Sequence, residues 1–163
     1  MIYVTVDQND LNKVFNALDK VKLATEGVAE TMLRQWALLT SATLKKNILQ
    51  QTYGSFGNPH SDSWTKRKGS DTYWRQTDAL VNSILSNKFA PSDGSNIAYF
   101  AGVPAGAMNG LKEIVEYAFS LEYGYSPKDI PSRPLFHKTM DDLMPYYFEK
   151  FVLARSMIFE VWS

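Results

Sequence analysis

The chain of 163 residues fits one domain, and its 45% hydrophobic and 21% charged residues are those of an ordinary globular protein. Cysteine is absent, which excludes a thiol nucleophile, a thiolate-held zinc and a disulfide scaffold. At this length roughly 70% of the unfolded surface can be buried without such staples. The 17 Lys and Arg balance 17 Asp and Glu, and a net charge of zero argues against a dedicated nucleic-acid binder, whose affinity comes from phosphate neutralisation. Aromatics reach 13%, a proportion in keeping with protein contacts as well as with an aromatic-rich core.

In chain order, IYVTV (residues 2–6) is β-branched and predicts a short strand. Leu11, Val14, Phe15, Leu18 and Val21 recur at helical spacing and predict an amphipathic helix over about 8–23. Gly27 is expected to interrupt it. A second helix over about 28–51 follows, with Met32, Trp36, Leu39, Thr43 and Ile48 as its stripe, and the two helices are expected to pack antiparallel. Residues from Thr52 on are rich in Gly, Ser, Asp and Asn and show no period, which predicts a long loop over about 52–78, either functional or partly disordered. Thr77 or Asp78 then caps a short helix carrying Leu80, Ile84 and Leu85. NKFAP and NIAYFAGVP predict a β-hairpin around PSDGSN. A helix over about 111–123 has the stripe Leu111, Ile114, Val115, Ala118 and Phe119, with Gly124 as its stop. The last helix uses Phe136, Met140, Leu143, Met144, Tyr147 and Phe151, and Pro145 inside it predicts a kink or a split. The order of elements is that of an α+β fold in one domain, 1–163: two N-terminal helices, a small mainly antiparallel sheet and a C-terminal helix kinked at a proline.

Few residues could carry chemistry. His60 lies in the long loop and His137 in the first turn of the last helix, neither within a nucleophile or metal motif. Asp141 and Asp142 are adjacent, so on a helix they point about 100° apart, whereas paired acid–base work needs converging carboxylates. AGVPAGAMNG has neither a Walker lysine nor the dinucleotide spacing. No catalytic residue, metal site or cofactor is therefore expected. The basic run Lys66, Arg67, Lys68, flanked by Trp64 and by Tyr73 and Trp74, has the make-up of a single-stranded nucleic-acid contact, of a solvated loop tip, or of a surface for an acidic partner. The opening MIYVTVDQND lacks a basic region followed by an apolar run, so no signal peptide is expected. No apolar run approaches the ~20 residues of a membrane span, and no membrane partner is expected.

Three motifs in order carry a resemblance. SWTKRKGSDTYWRQTDALVNSI has a Trp, a basic loop and a Thr-x-x-Leu-x-x-Ser-Ile element; YAFSLEYG has Tyr-Ala-x-x-x-Glu-aromatic-Gly; IPSRPLF has Ile-Pro-x-Arg-Pro-x-Phe. Over about residues 64–143 the chain resembles the virion-morphogenesis and tail-completion (neck) proteins of long-tailed bacteriophages. The family departs from it in having Gly where Asp78 stands. The resemblance implies a small α+β structural subunit without catalytic residues. It implies a homo-oligomeric ring, commonly a hexamer, at the head–tail junction of the virion, in contact with other neck and tail proteins. DNA would pass through the lumen without sequence-specific binding. The alternative of another class is a small nucleic-acid-binding module using residues 64–74.

Within IPSRPLF, Pro131 forces an extended approach and Pro134 suits the first helical turn, so Arg133 is held at the start of the last helix. A cation there opposes the helix dipole, as does the anion Glu122 at the end of the preceding helix. Pairing of Arg133 with Glu122 would relieve both and make the stretch a brace between two helices; the alternative is Arg133 facing a partner. The tail has Met157, Ile158, Phe159, Val161 and Trp162 within seven residues. It suits either an edge strand on its own sheet or, preferred here, a contact with a neighbouring subunit anchored by Phe159 and Trp162.

Overall fold

The computed structural model describes residues 8–54, 62, 66, 78–89, 98–128 and 130–160; for 8–11, 89, 128 and 157–160 it describes the backbone alone. The elements are α1 (Gln8–Gln50), α2 (Ala79–Ser83), β1 (Leu85–Phe89), β2 (Ala98–Gly102), β3 (Met108–Asn109), β4 (Lys112–Glu113), α3 (Ile114–Tyr123) and α4 (Leu135–Glu160). The fold is α+β, with helices around two small antiparallel hairpins. The strand expected over 2–6 lies outside the described residues.

The two helices expected at the N-terminus are one. α1 runs 43 residues, about 65 Å at 1.5 Å per residue, straight through Gly27. A glycine costs a helix interior about 1 kcal/mol but leaves the hydrogen-bond ladder intact, so it weakens rather than ends the helix. Thr25, two residues earlier, also returns its hydroxyl to the carbonyl of Val21 at 2.8 Å. With no break, α1 cannot fold back on itself, and its second half instead packs on α4. The two run antiparallel: Trp36 stacks on Tyr147 (centroids 4.8 Å apart), and further along α1 Asn47 donates to Thr139 at 3.0 Å.

β1 and β2 pair antiparallel from Leu85 opposite Gly102 to Phe89 opposite Ala98, the pairing expected of NKFAP and NIAYFAGVP. The hairpin lies on α1, where the Glu30 carboxylate takes Lys88 Nζ and the Tyr99 hydroxyl. α2 starts where expected, but the Asp78 side chain makes no capping bond; its carbonyl receives Asn82 N–H at 2.8 Å. Asp78 has φ −69°, an ordinary right-handed value, so the absence of glycine there causes no strain.

α3 begins at Ile114, not at Leu111. Asn109-Gly110 is a hairpin signal that outcompetes the helical one: Asn109 faces Lys112 across β3–β4, Gly110 has φ 62°, and Leu111 is 99% exposed at the turn. At the other end, α4 passes Pro145 as one element instead of splitting. The proline removes the bond to the carbonyl of Asp141, but both residues are on the exposed side of the helix, where solvent is at hand to replace it.

The core unites Leu44 and Ile48 of α1, Leu80, Val81 and Ile84 around α2, Ile114, Ala118 and Leu121 of α3, and Leu135 of α4. Each fully buried Leu or Ile contributes about 1.5–3 kcal/mol, and residues from four helices must meet to gain it. A polar seam borders this core. Thr139 is 0% exposed and accepts from Asn47, whose Nδ2 also donates to the Tyr53 hydroxyl at 3.2 Å; Tyr53 in turn donates to Asp142 at 2.6 Å.

Candidate interaction surface

The corner between α3 and α4 is built from IPSRP, and it braces the two helices by a route the sequence does not announce. Glu122 and Arg133 are both buried. They do not form the expected pair. The Glu122 carboxylate accepts the backbone N–H of Phe136 at 2.9 Å and of His137 at 2.8 Å, two donors left open at the start of α4. The anion thus sits at the positive end of α4, which offsets its unfavourable place at the end of α3. Backbone donors on a rigid helix outrank a flexible guanidinium for this carboxylate, because they are already oriented. Arg133 contributes its own N–H to the Leu121 carbonyl at 2.7 Å, and Ser132 Oγ donates to the Glu122 carbonyl at 2.6 Å, closing the end of α3. The Arg133 guanidinium lies near Tyr117. Burial pushes the Tyr117 hydroxyl up to about 12, against the opposing pull of that cation.

Pro131 follows an extended Ile130 as expected, whereas Pro134 stands one residue before α4 and not in its first turn. Ile130 is extended and exchanges both backbone bonds with Tyr125, at 2.8 and 3.2 Å, and the Pro134 carbonyl receives Lys138 N–H at 3.0 Å. Gly124 makes the tight corner possible. It has φ 82°, and a Cβ there would lie 3.0 Å from the Ile130 oxygen.

With α3 and α4 held in this way, their outer faces form an apolar groove over β2. Val115, Phe119 and Tyr123 recur every four residues on α3, and Phe136 and Met140 face them from α4. Phe100 and Gly102 of β2 complete the walls, Thr40 and Leu44 of α1 the floor, around a cavity of about 500 Å³. Phe119 and Tyr123 are each 64% exposed, with ring centroids 4.6 Å apart. A second hollow of about 430 Å³ adjoins it and shares Thr40, Ala101 and Met140; Met144, Phe148 and Phe151 continue its α4 wall. The two make one trough along α4. Its polar members are Thr40 on the floor, Glu122, which backbone donors occupy, and His137 and Asp141 on the α4 wall. Asp142, on the next helical position, turns away to Tyr53, as adjacency on a helix requires. This arrangement offers a dry surface for another apolar surface.

Phe119 was expected in the core and is instead on this surface, because Ile114, Ala118 and Leu121 define α3's buried side. The available signal was breadth. α4 has apolar residues at 136, 140, 143, 144, 147, 148, 151, 152 and 153, more than one inward stripe can bury.

Of the expected interface residues, Lys66 is exposed with helical backbone. Trp64, Arg67, Lys68, Tyr73, Trp74 and Trp162 lie outside the described residues, as does His60. Phe159 is on the last turn of α4, where backbone alone is described. The edge-strand option for the tail is overturned over 157–160, which continue α4: no Gly or Pro follows Pro145, so nothing stops the helix. Among the described residues no group of three or more His, Asp or Glu is placed to hold a metal ion, and no helix is long and apolar enough to cross a membrane. No protein-family model, curated protein or solved structure matches this chain.

Proposed function

We propose that this protein is a structural subunit of the head–tail junction of a long-tailed bacteriophage, forming a homo-oligomeric ring that joins the capsid connector to the tail. The motif order over residues 64–143 is one support. The observation that carries the reading is the apolar trough along α4, with Phe119, Tyr123 and Phe148 each more than 60% exposed. Monomeric proteins rarely leave such continuous apolar surface in water. A subunit that spends its working life between neighbours has that surface covered. A hexamer is the copy number the resemblance implies, and the lumen would pass DNA without reading its sequence.

Light scattering and negative-stain imaging of the purified chain, alone and with a phage connector and tail-tube protein, test this. A closed ring, alone or templated on the connector, is expected. A chain that stays monomeric at high micromolar concentration and binds neither protein, yet shifts on single-stranded oligonucleotide, would replace this reading with the nucleic-acid module.

A further inference from the structure

Among the described residues, two exposed apolar surfaces of different shape stand out. One is the concave trough along α4. The other is convex: residues 12–27 of α1, of which all but Val21 and Thr25 are exposed, presenting Val14, Phe15 and Leu18 as an apolar stripe. We propose that this N-terminal part of α1 docks in the α4 trough of a second copy of the chain, head to tail. The proposal deepens the ring reading above and rests on it.

The dimensions agree. From Phe136 to Phe151 the trough follows α4 for about 22 Å, and residues 12–27 of α1 span the same length. The charges agree as well: Lys22 follows Leu18 by one turn within the α1 stripe, and Asp141 stands on the trough's α4 wall. A trough cannot fill a trough, so the concave face is not self-complementary. Unlike surfaces that meet pair heterologously, and repetition of such a contact closes a ring when the rotation permits.

The chain has no cysteine, so introduced ones report without background. Leu18→Cys and Phe119→Cys chains, differently tagged, are mixed at assembly concentration and oxidised mildly. A disulfide is expected in the mixture and in neither chain alone. Leu18→Asp should raise the concentration for half-assembly at least about tenfold while leaving the melting temperature of the dilute chain unchanged, since Leu18 is an exposed position. Self-disulfides of Leu18→Cys alone would show α1 packing on α1. Self-disulfides of Phe119→Cys alone would show trough against trough. Either overturns the proposal. Wild-type rings with no disulfide in any mixture overturn it too and leave the ring reading standing. A wild-type chain that is monomeric with and without the connector overturns both.

Discussion

At the scale of single residues, the corner between α3 and α4 depends on one carboxylate serving two amides. Glu122→Gln retains one acceptor oxygen and loses the charge, while an amide N–H₂ is forced against a backbone N–H. A loss of about 1–3 kcal/mol is expected, read as a lower urea midpoint with unchanged slope. Tyr117 makes a second expectation. Its hydroxyl is held neutral by burial up to about 12, against 10.0 when free. The folded state therefore keeps a proton that the unfolded chain gives up, and stability must fall as pH rises between those values. Tyr53 and Tyr147 are raised as well, first by burial, and have the same sign. Thermal melts at pH 9 and above should show a declining midpoint that Tyr117→Phe flattens. A midpoint flat to pH 11 in the wild type would contradict the burial of that hydroxyl.

The elements owe their extent to what is absent from their interiors. α1 continues through Gly27 because nothing there competes with the helix, and a Cβ at that position would meet nothing within 4 Å. Gly27→Ala should stabilise the chain by about 0.5–1 kcal/mol, chiefly by restricting the unfolded backbone. For a chain of this size that is roughly 1–4 °C in melting temperature. A decrease would mean that α1 needs freedom at that point. The β1–β2 hairpin is short for an isolated two-stranded sheet, and α1 supports it through Glu30, whose carboxylate the Lys88 hydrogen bond holds below its usual range.

For the whole molecule, the core is gathered at one end of α1 and the first part of α4. Among the described residues the last buried position on α4 is Tyr147, whose hydroxyl donates to the Trp36 carbonyl at 3.1 Å. Beyond it Phe151, Val152 and Leu153 are about half exposed. Deleting residues 158–163 should thus leave the melting temperature within about 2 °C of the wild type. The same deletion should weaken assembly, seen as a shift toward monomer by light scattering. Unfolding of the truncated monomer would instead assign the tail to the core.

Most of the local structure follows from local patterns of residues. The strand-like runs NKFAP and NIAYFAGVP sufficed for the β1–β2 pair, Gly124 for the end of α3, and helical spacing for α4 and for the two halves of α1. Wherever propensity is local and the competing states differ by several kcal/mol, the pattern reads directly. Near-balanced contests were settled elsewhere. A glycine costing about 1 kcal/mol did not outweigh the ladder of α1, and a two-residue hairpin at Asn109-Gly110 displaced the first turn of α3. Tertiary structure alone decided which apolar stripe faces inward. Phe119 and Ala118 are neighbours in sequence with equal claims on a core; the angle at which α3 meets α4 buries one and exposes the other. It also decided the partner of Glu122. A carboxylate and a guanidinium near each other in sequence suggest a pair, but two backbone N–H groups whose direction is set only once α4 is docked are the donors this carboxylate accepts from.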